Sequence, residues 1–192
     1  MQHARRYFCI FLAGLAFSGT LGAAHAADTP QVSLKTNMGE IVLELYPEKA
    51  PKSVANFLQY VKNGHYQGTI FHRVIEDFMI QGGGFDRNLQ QKPAGAPIEN
   101  EAKNGLKNVT YSIAMARTGA PHSATAQFFI NTNNNQPLDY PSQDGWGYAV
   151  FGKVIKGTEI VDKIKAVPVS DQGMHQNVPT KPVIIESAVR IK

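Results

Sequence analysis

Sulfur chemistry is almost absent from this sequence. Cys9 is the one cysteine among 192 residues, and it stands ahead of a predicted cleavage point, so residues 27–192 carry no thiol. That excludes disulfide stapling, thiolate metal sites and cysteine nucleophiles from the mature chain, whose stability must come from a packed core. Charge is scarce too: Lys and Arg total 19 against 15 Asp and Glu, or 18% of the chain. A net charge of +4 with no charge run is too small to argue for nucleic acid or an acidic membrane surface as partner, and none is assigned. No apolar run reaches the ~18 residues of a membrane-spanning helix; the stretch from Tyr7 to Phe17 is stopped by Ser18-Gly19-Thr20. No internal repeat or heptad period is present, which excludes a solenoid or a coiled coil.

What the N-terminus carries is the pattern of an export leader. Arg5 and Arg6 precede the apolar stretch, and Ala24-His25-Ala26 supplies a small-x-small cleavage site. Residues 1–26 therefore read as a removed signal peptide and 27–192 as one domain, of a size that supports a single core. The destination is an exported compartment, the bacterial periplasm, with no stable membrane association after cleavage.

The mature chain then reads as many short strands and two helices. Val32–Thr36 and Ile41–Tyr46 flank the turn Asn37-Met38-Gly39-Glu40, which predicts a hairpin. Val54, Phe57, Leu58 and Val61 recur at helical spacing between Pro51 and Gly64. Strand-like segments follow at 69–74, 78–82, 111–115, 127–131 and 149–155. Thr158 is placed to cap a second helix whose apolar face is Ile160, Val161, Ile164 and Val167, ended by Pro168. A last strand over 183–191 puts Ile185, Ser187, Val189 and Ile191 on one side. The fold class is mostly β: a closed eight-stranded antiparallel β-barrel capped by two α-helices, which leaves no free edges. The Gly/Pro/Asn-rich intervals 86–106 and 133–147 are loops.

Several features suggest chemistry only superficially. Gly82-Gly83-Gly84 lacks the Lys-Ser/Thr of a phosphate loop and reads as a bulge or barrel corner. His65, His72, Asp77 and His122 match no metal-ligand spacing, so no metal site is assigned. Ser53, Ser112 and Ser123 have no nucleophile-elbow context, and Asn108-Val109-Thr110 is a sequon without meaning in a bacterial host. Two clusters are harder to set aside. In Phe71-His72-Arg73-Val74, strict alternation puts Arg73 on the face of Phe71, an odd choice for a core because a buried guanidinium needs a partner. In Gln127-Phe128-Phe129-Ile130, the two phenylalanines point to opposite faces. From pattern alone a surface arginine and core aromatics remain an open alternative.

Phe71-His72-Arg73-Val74, Phe78-Met79-Ile80-Gln81-Gly82-Gly83, Ile113-Ala114-Met115-Ala116-Arg117, Gln127-Phe128-Phe129-Ile130 and Val150-Phe151-Gly152-Lys153-Val154 resemble, in order, the motifs of the cyclophilins. The likeness runs through essentially the whole mature chain, and the length, the signal peptide and the lack of cysteine in the mature part resemble the periplasmic cyclophilins of Gram-negative bacteria. The resemblance implies a peptidyl-prolyl cis-trans isomerase that needs no cofactor and acts on proline-containing, unfolded or partly folded exported polypeptides; the lack of an association motif in the sequence favours a monomer. Carried over by motif, Arg73 is the catalytic arginine, with Phe78 and Gln81 beside it. Met79, Gln127, Phe129 and Leu138 shape the proline pocket, Ala116 and Arg117 pair with the substrate backbone, and Tyr148 stands where eukaryotic members have histidine. Pro137 replaces the tryptophan that contacts cyclosporin, which implies weak binding of that drug. A non-catalytic peptide-binding module, or a carrier of small molecules in the barrel mouth, are the competing functions.

Overall fold

The computed structural model describes residues 29–192; the predicted leader and its cleavage point lie outside them. The chain opens with the predicted hairpin, β1 (Gln31–Thr36) and β2 (Gly39–Leu45), followed by α1 (Pro51–Lys62). Strands β3 (Thr69–Ile75), β4 (Met79–Asp86), β5 (Ser112–Met115), β6 (Phe128–Asn131) and β7 (Val150–Lys156) lead to α2 (Thr158–Lys165). A small hairpin, β8 (Val169–Gln172) and β9 (His175–Pro179), precedes the closing strand β10 (Ile185–Arg190). Eight strands form one antiparallel sheet in the order β10-β1-β2-β7-β5-β6-β4-β3. The sheet curls into a nearly closed barrel whose seam is the bridge Ile70↔Ile184, with Phe71 N donating to Val183 O at 2.9 Å.

The interior is filled. Leu34, Ile41, Leu43, Phe71, Ile80, Phe128 and Phe151 are fully buried within one cluster that continues into Phe57 of α1 and Val161 and Ile164 of α2. Burial of a side chain of this size contributes about 1.5–3 kcal/mol, so the helices are held by the faces they bury. Ring packing of Phe57 on Tyr66, Phe128 and Phe151, with centroids 5.1–5.6 Å apart, joins α1 to the barrel. Among the described residues these side chains occupy the space that a carrier would need for a lumen.

Four local expectations change. The cap of α2 is Gly157, not Thr158, and no side-chain hydrogen bond caps it. Gly157 has φ +86°, and a Cβ there would lie 2.1 Å from the Glu40 carbonyl oxygen, so close packing on β2 selects the glycine. Val167 lies beyond the end of α2, although it still packs on the core. In β10 a register shift opposite Lys35 and Thr36 breaks the alternation, so Ile185 and Ala188 face inward while Val189 and Ile191 are exposed. The β8–β9 hairpin leaves no signature in the sequence, because every β8 residue is exposed and shows no apolar alternation.

Candidate functional site

The site is built on the outer face of the barrel, and a bulge in β3 creates it. Phe71 pairs with Gly82 while Arg73 pairs with Gln81, so β3 carries one residue more than β4 between the two pairs. Phe71 and Val74 both enter the core, and Arg73 is turned outward. The expectation that Arg73 and Phe71 share a face is thereby corrected: His72 absorbs the extra step. The neighbouring glycines read correctly as a bulge. Gly83 has φ +84°, and a Cβ on it would come within 2.8 Å of the Tyr66 ring and 3.0 Å of Phe128.

Around Arg73, neighbouring strands alternate with opposite phase to the core. Phe128 and Ile130 point in, while Phe129 joins Met79, Ala114 and Val150 in a second buried cluster outside the barrel. Phe78, Ala116, Leu138 and Tyr148 pack against this cluster. A cavity of about 300 Å³ results, lined by Arg73, Phe78, Met79, Gln81, Ala116, Arg117, Phe129, Leu138 and Tyr148. Gln127, the remaining sequence-predicted site residue, lines an adjoining depression of about 320 Å³ that shares Gln81, Ala116 and Arg117. It reaches the first cavity through its Oε1, which accepts from Gln81 Nε2 at 2.9 Å. A larger groove of about 460 Å³ between α1 and β10 is lined by Leu58, Lys62, Val189 and Arg190 and carries no such aromatic floor.

The polar groups at the rim differ in how firmly they are held. Among the described residues no acidic side chain pairs with Arg73, so its guanidinium keeps its donors for a ligand. Arg117 is the reverse: its side chain is 3% exposed and ion-paired with Asp144. Its Nε donates to Gly147 O and its Nη1 to Thr118 O, both at 3.0 Å, and its guanidinium stacks 4.4 Å over the Tyr148 ring. The Trp146 amide first, and then Arg117, hold the Asp144 carboxyl below its usual range. Tyr148 in turn meets Phe129 edge-on at 5.7 Å, so the Arg117 side chain orients a wall of the cavity. Trp146 packs on His122 at 4.7 Å, and neither it nor Pro137 lines the cavity.

Behind the cavity lies a buried polar network that sequence reasoning missed. Asn108, Ser112, Asn131, Thr132, Asn135 and Asp139 are all buried and bonded to one another or to nearby backbone. Asn108, the asparagine of the sequon, is 1% exposed and its side-chain Nδ2 donates to Asp139 Oδ1 at 3.1 Å, so the folded protein offers no acceptor for a glycan there. Run as a sequence, Asn131 to Asn135 resembles any polar loop, and only the fold shows what it grips.

This geometry can bind an apolar ring against Phe129 and Met79 and present a cation and a carboxamide to the polar chain on either side of it. Residues 31–190 match the family model described as "Cyclophilin type peptidyl-prolyl cis-trans isomerase/CLD". A peptidyl-prolyl cis-trans isomerase of Acinetobacter baylyi is 57% identical, over 93% of this chain and 94% of its own. Peptidyl-prolyl cis-trans isomerase B of Escherichia coli is 55% identical over 81% and 96% respectively. A cyclophilin-type isomerase of Cryptosporidium parvum, crystallised in the presence of the dipeptide Ala-Pro, superposes with a TM-score of 0.69 at 29% identity, covering 84% of this chain and 99% of that one.

Proposed function

The chain belongs to the cyclophilin-type peptidyl-prolyl cis-trans isomerases, and on that premise we propose that Arg73 stabilises the twisted Xaa-Pro amide while the outer apolar cluster holds the proline ring. The reaction is rotation about a C–N bond whose resonance sets a barrier of about 18–20 kcal/mol. Left alone, Xaa-Pro bonds exchange in roughly tens to hundreds of seconds. No bond to carbon is made or broken, so neither nucleophile nor metal is required.

At the top of the barrier conjugation is lost and the proline nitrogen regains a lone pair. A guanidinium fixed at that point donates to the nitrogen, or to the carbonyl oxygen as it turns, and favours the twisted state over either planar one. Its planar, permanently charged fork suits this better than a lysine ammonium. Phe78, Met79, Phe129 and Leu138 anchor the ring, and Gln81 with the Ala116–Arg117 backbone holds the flanking chain, so one end can turn against the other. The observation that carries this reading is an outward-turned Arg73, unpaired with any described acid, on the wall of a cavity floored by Phe129. In the exported compartment the substrates are folding polypeptides with slow proline steps.

The test is cis–trans exchange of an Ala-Pro-Phe peptide followed by NMR. Arg73→Ala is expected to lose about 10²–10³ in rate, the scale of one preorganised donor, with an unchanged fold. Wild-type rates in a folded Arg73→Ala would remove the arginine from the mechanism. Because Trp146 turns onto His122 and Pro137 stays off the cavity, added cyclosporin should inhibit this exchange weakly.

A further inference from the structure

Resting on that reading of the pocket, the geometry points to Asn135 as a positioning residue that sets the width of the proline pocket. Phe78 and Leu138 line the cavity from different parts of the chain, Phe78 from the turn between β3 and β4, Leu138 from a short 3-10 turn, Gln136–Leu138. Both pack on the outer apolar cluster, and the segment just after β6 ties their backbones together. Thr132 Oγ1 donates to Glu76 O at 2.8 Å, Asn133 Nδ2 to Asp77 O at 3.3 Å and Asn135 Nδ2 to Phe78 O at 2.6 Å. Three successive carbonyls of the Phe78 turn are thus gripped by one four-residue segment, and Thr132 N adds a second bond to Phe78 O at 3.1 Å.

Asn135 is the member that reaches both walls. Its carboxamide nitrogen has two hydrogens; one serves Phe78 O and the other Asn131 Oδ1, also at 2.6 Å, which ties the residue to β6. Its own carbonyl accepts from Leu138 N at 2.9 Å, closing the 3-10 turn that presents Leu138. Its amide donates to Asn108 O at 2.7 Å, from the residue that also binds Asp139 just beyond Leu138. At 7% exposure Asn135 touches no pocket-lining side chain through these bonds and acts through the backbone of both walls. Buried bonds of this kind hold their groups in one arrangement, and leaving a partner unpaired is costly. Without the carboxamide donors the Phe78 turn and the Leu138 turn lose their shared anchor. The proline ring is then held less well in planar and twisted states alike, which raises KM with little change in kcat.

The experiment measures kcat and KM separately on an Ala-Pro-Phe peptide for wild type, Asn135→Ala, Asn135→Asp, Thr132→Val and Asn134→Ala. Asn135→Ala should raise KM by about five- to tenfold at near-constant kcat. Asn135→Asp is isosteric but sets an acceptor against Phe78 O and Asn131 Oδ1, so it should be at least as impaired. Thr132→Val removes only the Glu76 bond and should raise KM about two- to threefold; it remains decisive should Asn135→Ala fail to fold. Asn134, which binds Thr110 and not the Phe78 turn, is the control, and Asn134→Ala should leave KM unchanged. Unchanged KM in folded Asn135→Ala or in Thr132→Val, or an equal rise in Asn134→Ala, overturns the positioning role. A folded wild type that does not accelerate exchange of the peptide overturns the pocket reading itself and this role with it.

Discussion

At the scale of single residues, this site needs side chains that are placed more than side chains that are activated. In the proposed mechanism Arg73 serves by being left unpaired by any described acid, and Arg117 by being fully engaged. His72, between them in kind, is 5% exposed, its Nδ1 has no partner, and its ring packs on Phe85, which packs on His175. Burial, then the nearby His175 and Arg73, lower its pKa to about 4. The sign of the consequence follows from linkage. Above about pH 6.5 His72 is neutral in both folded and unfolded chains and contributes no pH dependence. Between about 6.5 and 4 the unfolded chain takes up a proton that the native state refuses, so stability falls as pH falls. The loss approaches an order of 3 kcal/mol near pH 4 and then levels off. His65, whose pKa is lowered mainly by burial, adds in the same direction. Urea titrations from pH 7 to pH 4 should show this slope in wild type and a shallower one in His72→Leu. Equal slopes would mean that His72 is not held neutral by the fold.

At the scale of elements, helix ends and strand phases carry the least legible information. The apolar spacing of α1 is readable from Val54, Phe57, Leu58 and Val61, and Pro51 does start it. Its cap is not local. The Glu101 carboxylate, from the long loop after β4, accepts from the Lys52 and Ser53 amides at 3.0 and 2.8 Å and from Ser53 Oγ at 2.7 Å. An acid at the positive end of a helix, bonded to its free amides, is favourable in both charge and hydrogen bonding. Glu101→Ala should therefore cost about 1–2 kcal/mol in urea denaturation while kcat/KM of the folded enzyme stays at wild type. No loss of stability would show that the carboxylate is replaced by water without cost. Strand phase fails for a related reason. The alternation rule holds for Phe128 and Phe129 in β6 but breaks in β3 and β10, where one extra residue shifts every later side chain to the other face.

At the scale of the whole molecule, a filled barrel forces function onto its exterior. The core occupies the lumen, so the proposed substrate site is a second, smaller apolar cluster on the outside, walled by loops. We propose that this domain is delivered to the periplasm by cleavage after Ala26; N-terminal sequencing of protein from the periplasmic fraction should begin at Ala27, and an intact Met1 there would refute it. Sequence by itself determined the class of fold, the run of most strands, both helices and the family, because apolar period and motif order are local properties that survive without coordinates. The ten site residues carried over through the resemblance, and not through any pattern of theirs, line the cavity or, for Gln127, the depression beside it, which Gln91, Thr118, Ser123 and Thr125 also line. Tertiary structure alone decided that Arg73 faces outward, that Glu101 caps a helix some fifty residues before it in the chain, and that Asn135 joins two walls. Each of these depends on a bulge or on a bond between residues distant in sequence. Such bonds exist only after the barrel has closed and brought otherwise ordinary polar residues within about 3 Å of one another.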